Sequence, residues 1–106
     1  MGSKEIKRFT IYKLYSKDEN IRDFYIGSTN NYNRRKFQHK KSCYNRRHKK
    51  YWVKLYLFIR ENGGFDNWEF EIIDEPKVST IQEGRSIEYH YIALLKPTLN
   101  IQKNLI

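Results

Sequence analysis

The segment Phe9-Thr10-Ile11-Tyr12-Lys13-Leu14-Tyr15 carries bulky side chains on both alternating faces of an extended chain. Successive residues of a strand point to opposite sides of the sheet. Large groups in both sets therefore need a covering layer above and below, and the segment reads as a central strand. The rest of the chain has to supply those layers. Ser16 to Asp23 is polar and contains Lys17-Asp18-Glu19-Asn20, a turn composition. Phe24-Tyr25-Ile26-Gly27 follows as a second short strand, paired with the first in an antiparallel hairpin. Ser28-Thr29-Asn30-Asn31 offers helix caps ahead of a polar helix over 32–43. A second helix fits 50–61, with Tyr51, Leu55, Phe58 and Ile59 on one side, and Asn62-Gly63-Gly64 stops it. Trp68-Glu69-Phe70-Glu71-Ile72 alternates apolar and acidic residues, giving a third strand with one wet face that ends before Pro76. A last helix starts near Ser79 or Thr80 and runs to Lys96, where Pro97 stops it. Asn100 and Ile101 then form a tail that returns toward the sheet. The expected fold is α/β (α+β): a small, mostly antiparallel three-stranded sheet flanked by three helices.

At 106 residues the chain is near the commonest domain size, and with no repeat or low-complexity linker it reads as one domain over 1–106. Met1-Gly2-Ser3 resembles an expression scar and carries no structural weight. No apolar run approaches the roughly 18 residues of a membrane span, and no signal-peptide pattern opens the chain. The single Cys43 excludes an internal disulfide and a cysteine-based zinc site, and its expected role is a half-buried small side chain. These features describe a reduced, soluble, intracellular protein, cytoplasmic, nuclear or at a viral replication site, neither secreted nor bound to a membrane.

Net charge is +9, and its distribution says more than its sum. From Phe24 to Arg60 there are eleven Lys and Arg and no acid, whereas Glu61 to Ile106 holds eight acids against four basic residues. A basic half on a mildly acidic half is an electrostatic footprint for a polyanion, and nucleic acid is the obvious partner. A solvated basic helix is the plainer explanation of the same charges. A membrane-surface helix fits less well, because residues 44–50 offer no broad apolar face.

Glu88 is the most informative residue of the last helix. At 100° per residue, Ile81, Gly84, Ile92 and Leu95 fall within about 40° of it, so a carboxylate is centred on the stripe expected to face the sheet. An unpaired buried carboxylate costs several kcal/mol and must find a cation, a proton or a hydrogen-bond set. A salt bridge to a Lys or Arg would suffice. A hard divalent cation, magnesium or manganese before zinc, would also suit it. Arg35 and His39 share one face of the first helix at i, i+4, with Phe37 and Tyr44 opposite as expected anchors to the body. Arg35 can present a fork of donors to a phosphate and His39 can move a proton, although an exposed pair of this kind is more often merely solvated. Tyr12 and Tyr25 lie on the two paired strands, where tyrosine usually serves core packing, yet both phenols can reach one site. Gly27 marks a sharp turn at the strand end or a close approach of substrate.

In this order and spacing, Thr10-Ile11-Tyr12, Tyr25-Ile26-Gly27-Ser28-Thr29, Asn33-Arg34-Arg35-Lys36-Phe37-Gln38-His39, Ser86-Ile87-Glu88-Tyr89-His90-Tyr91-Ile92 and Thr98-Leu99-Asn100-Ile101 resemble the signature elements of the GIY-YIG nuclease family, including the catalytic domains of homing endonucleases. The clearest departure is Thr10, which stands where the name-giving motif has glycine and puts packing in question before chemistry. The resemblance implies a divalent-metal-dependent DNA endonuclease that hydrolyses phosphodiester bonds. It implies catalytic roles for Tyr12, Tyr25, Arg35, His39 and Glu88, with Glu88 as the Mg²⁺ (or Mn²⁺) ligand, and supporting roles for Gly27 and Asn100. Lys40, Lys41, Arg46, Arg47, His48, Lys49 and Lys50 then become contacts to the DNA backbone. The alternative is a non-catalytic nucleic-acid-binding module that uses the basic 34–54 face. Family members that read long sites usually carry a separate DNA-binding domain, so a further domain or a partner subunit is expected to choose the target.

Overall fold

In the computed structural model, which describes residues 7–100, strands β2 (Thr10–Ser16), β3 (Phe24–Thr29) and β4 (Trp68–Asp74) form an antiparallel sheet in the order β3-β2-β4. The doubly bulky segment is thus the central strand, as its pattern demands. Helices α1 (Tyr32–Tyr44), α2 (Lys54–Glu61) and α3 (Ile81–Leu95) complete the three-helix, three-strand α+β architecture. One further ladder was not anticipated: β1 (Lys7–Arg8) pairs antiparallel with β5 (Lys77–Val78). Two residues are too short to show a period of two.

Register assigns the faces. Tyr12 lies opposite Gly27 and Ile72, and Leu14 opposite Tyr25 and Phe70, so these groups share one side of the sheet. Helices α1 and α2 cover that side, and Leu14, Trp68, Cys43, Leu55, Tyr56, Ile59, Phe65 and Leu99 form a continuous buried cluster there. Ile11, Ile26 and Ser28 point the other way, toward α3. There Phe9 packs over Gly84, where a Cβ would overlap the Phe9 ring, so the glycine permits the close approach of helix to sheet. Glu69 and Glu71 form the wet face of β4.

Local signals set the ends. Asn31 caps α1 by accepting from the Arg34 amide, and Thr80 caps α3 by accepting from the Glu83 amide. After α2 the chain turns through Gly63 and Gly64 at φ +95° and +70°, a region that favours glycine. Lys96 adopts the left-handed cap conformation before Pro97. Asn100 sits in a short 3-10 turn, and its side chain bonds the backbone N–H and C=O of Ile26, closing part of the free edge of β3. Thr10 is buried and paired with Thr29, a regular strand position that a β-branched residue fills without difficulty. Ile101 lies outside the described residues.

Three expectations need correction. Helix α2 begins at Lys54 rather than Lys50, because residues 45–53 form successive turns. Asn45 and His48 side chains take the amides of Arg47 and Lys50 there, in competition with a helical ladder. Phe37 does not anchor α1: it is 66% exposed, and the buried residues of that helix are His39, Ser42 and Cys43. Tyr44 is also mostly exposed, although its hydroxyl accepts from the Phe65 amide. The stripe around Glu88 is only partly buried: Gly84 is enclosed, Ile92 is half-buried, and Ile81 and Leu95 are exposed.

Candidate active site

The centre of the site is a chain of hydrogen bonds through a buried histidine. His39 is 5% exposed, with Nε2 2.7 Å from the Tyr12 hydroxyl and Nδ1 2.7 Å from the Tyr56 hydroxyl. Burial, with Arg35 and Lys50 adding like-charge repulsion, lowers its pKa from 6.5 to about 3. The ring is therefore neutral at physiological pH. A neutral imidazole donates through one nitrogen and accepts through the other, so the two tyrosines take opposite roles toward it.

Tyr12 reaches the ring because Gly27 is opposite it. A Cβ at Gly27 would overlap the Tyr12 hydroxyl and the edge of the Tyr25 ring. Gly27 lies inside β3 and neither ends nor turns the strand, as one expectation had it; its missing side chain makes room for the phenol. Burial raises the Tyr12 pKa, the neighbouring Tyr25 raises it further, and the Arg35 guanidinium opposes both. Burial outweighs the guanidinium, so Tyr12 rests as a phenol. Burial and the charge of Glu88 likewise raise the Tyr25 pKa, with Arg35 again acting in the opposite sense.

Tyr25, Arg35 and His39 line a cleft of about 480 Å³, together with Lys41, His48, Lys49, Lys50, Lys54 and Tyr56. The basic face thus divides. Lys41, Lys49 and Lys50 reach the cleft, whereas Lys40 borders a separate shallow depression with Phe37 and Glu69. Arg46 and Arg47 are exposed on the turn beyond. His48 is half-buried, and its ring accepts from the Lys50 amide and meets the Ser42 hydroxyl at 3.4 Å, so it shapes this turn.

Glu88 stands apart from the cleft lining. It is half-buried, projects from α3 and accepts a hydrogen bond from the Ser28 hydroxyl. The hydrogen bond meets the need for a partner that the sequence raised, and exposure keeps the carboxylate available. Asn100 binds the backbone of β3 next to Tyr25 and contributes no group to the cleft. Among the described residues, no three His, Cys, Asp or Glu side chains gather to hold a metal ion. Glu88 has the Ser28 hydroxyl beside it, and its charge is felt at the Tyr25 phenol. Such a set suits Mg²⁺, which keeps most of its waters and commonly uses one or two carboxylates plus substrate phosphate.

Sequence reading missed Tyr56. A tyrosine on the apolar side of a short helix looks like core, and only the position of His39 across the interface gives its hydroxyl a partner. Burial raises its pKa, so it too remains a phenol.

Among the described residues no helix is long and apolar enough to cross a membrane. No curated protein and no solved structure matches the chain. The family model of the GIY-YIG catalytic domain matches residues 8–102, nearly the whole length. With its three-stranded antiparallel sheet, three helices and tyrosine-arginine cleft, the chain belongs to the GIY-YIG catalytic domain family.

Proposed function

We propose that this chain is a single-domain, divalent-metal-dependent DNA endonuclease that hydrolyses phosphodiester bonds inside the cell, with target choice left to another domain or a partner. The observation that carries the reading is the meeting of Tyr25, Arg35 and His39 at one lysine-rimmed cleft, with the buried Tyr12 bonded behind His39 and the charge of a half-buried carboxylate, Glu88, felt at Tyr25. A phosphodiester in the cleft meets Arg35 and Lys50, and both favour its negative charge. Lys41 and Lys49 hold the flanking backbone without reading bases.

Glu88 is the residue that would hold Mg²⁺ or Mn²⁺, and a bound cation would neutralise charge on a non-bridging phosphate oxygen. Arg35 stabilises the same developing charge through its guanidinium. Tyr12 orients the attacking water. As water adds to phosphorus, a water proton passes to the Tyr12 oxygen while the phenolic proton moves to Nε2 of His39, and the bond to the sugar oxygen breaks with that oxygen taking a proton from solvent. This requires the tautomer with hydrogen on Nδ1, donated to Tyr56. The resting imidazole resists protonation, partly through Arg35 and Lys50. A bound phosphate offsets both charges, so substrate itself makes His39 a better acceptor. Tyr25 orients a phosphate oxygen or a bound water from the Glu88 side.

The test is supercoiled plasmid incubated with wild type and Glu88→Ala, in Mg²⁺, in Mn²⁺ and in EDTA. Nicked or linear product from wild type with metal alone supports the nuclease. Intact plasmid together with intact branched and single-stranded substrates, while DNA binding is retained, would transfer the protein to the non-catalytic binding class.

A further inference from the structure

The turns between α1 and α2 hold an unused aromatic group. From Arg46 to Lys54 the chain carries five cations and no acid, and within this stretch Trp52 is 60% exposed. The other tryptophan, Trp68, is 4% exposed in the core. Leaving an indole in water forfeits the stabilisation of burial, and here the ring is braced from below rather than loose. The Tyr51 ring meets it edge-on at a centroid separation of 4.8 Å. The Arg60 guanidinium lies 3.7 Å over the Tyr51 ring and 6.0 Å from the Trp52 centroid. Arg60 is fixed in turn, donating to the carbonyls of Cys43 and Tyr51 at 2.6 and 2.8 Å. A cation that could contact DNA is instead used to hold an aromatic pair in place. Lys50 and Val53, on either side in the chain, line the cleft that holds Arg35 and His39, so Trp52 belongs to a segment that borders it without lining it itself.

We infer that Trp52 is a stacking platform for an unpaired base, and that the preferred substrate is DNA with single-stranded or displaced nucleotides beside the cleft. Bases inside an intact duplex already have both faces covered and gain nothing from an indole. An unpaired base offers a free π face, and base–aromatic stacking tolerates any sequence. The surrounding lysines and arginines attract the backbone of either form, so they supply affinity and Trp52 supplies the preference. Phe37 is a natural contrast: equally exposed among cations, it borders the other depression, on the far side of α1 from Arg35. The inference rests on the nucleic-acid reading of the cleft and does not require cleavage.

The test measures binding in EDTA to a short oligothymidylate and to a duplex of equal length. Oligothymidylate is expected to quench tryptophan emission of the wild type, and because Trp68 is buried the quench reports Trp52. Trp52→Ala is expected to weaken binding to the single strand about tenfold or more while changing duplex binding less than about twofold. Trp52→Phe should keep most of the affinity, and Phe37→Ala should change neither. An unquenched wild type, or equal losses on both DNAs, would overturn the platform. A quenched wild type that cuts no substrate would remove the nuclease and leave the platform standing.

Discussion

The two faces of the sheet are built to different standards. On the α1–α2 side the core is continuous, and the polar groups within it, Tyr12, His39 and Tyr56, are buried and hydrogen-bonded to one another. On the α3 side Ile11 and Ile26 of the sheet are buried, but the only buried residue of the helix is Gly84, and Tyr89, Leu94 and Leu95 are exposed. α3 is attached by a few specific links, among them the Tyr91 hydroxyl donating to Asp74 at 2.7 Å and the Ser28–Glu88 bond. In the proposed mechanism the two sides have different tasks. Groups that pass a proton need fixed distances and a dry setting, which close packing supplies. A carboxylate that meets a hydrated cation needs access to water, which close packing would deny.

The largest test of that division is chemical. Arg35→Ala is expected to cut the cleavage rate by about 100- to 1,000-fold, the order lost when one donor to a developing oxyanion is removed. Single-turnover assays read this, and near-normal cleavage would remove Arg35 from the site.

Stability should divide in the same way. Leu14→Ala, in the closed core, should cost about 2–5 kcal/mol in urea unfolding. Ile92→Ala, on the half-covered stripe of α3, should cost markedly less. Equal costs would mean that the two faces are equally packed.

Gly27→Ala brings the comparison to a single methyl group. The added Cβ displaces the Tyr12 hydroxyl from His39, and a shift of that kind near the chemistry costs about 100-fold in rate. The strand itself tolerates alanine, so folding should survive while cleavage falls. A fully active Gly27→Ala would show that the Tyr12–His39 distance is not critical.

Acid offers the mildest test. The folded pKa of His39, about 3, lies below its ordinary 6.5, so the unfolded chain takes up the proton first. Stability from this group is complete above pH 6.5 and is lost as pH falls toward 3. The slope is at most about 1.4 kcal/mol per pH unit. His39→Gln should flatten the urea-unfolding profile over that window, and an unchanged slope would mean that the ring is not held neutral by burial.

Most of the fold was legible because its signals are local. Bulk on both faces of residues 9–15 marked the central strand, the caps at Asn31 and Thr80 marked two helix starts, and Gly63 and Gly64 marked the turn after α2. What stayed hidden depends on partners distant in sequence. Helix α1 is polar almost all round, and its buried side consists of His39, Ser42 and Cys43, which enter the core through hydrogen bonds and small size. A search for large apolar residues therefore selects Phe37 and Tyr44, which face solvent. Arg35 and His39 were visible as a pair on one face, but the burial of His39 was not, since it depends on Tyr56 in another helix. The role of Gly27 follows from register with Tyr12, which no single segment encodes.

In the proposed mechanism the closed face handles the proton and the open face handles the metal. The most direct measurement is the Mg²⁺ dependence of single-turnover cleavage for wild type, Tyr56→Phe and Glu88→Asp. Tyr56→Phe is expected to slow the reaction about tenfold at every Mg²⁺ concentration, the order of a lost hydrogen bond, without moving the half-saturating concentration. Glu88→Asp is expected to move that concentration upward. A Tyr56→Phe enzyme rescued by added Mg²⁺, or a Glu88→Asp enzyme with an unchanged midpoint, would contradict the division between the two faces.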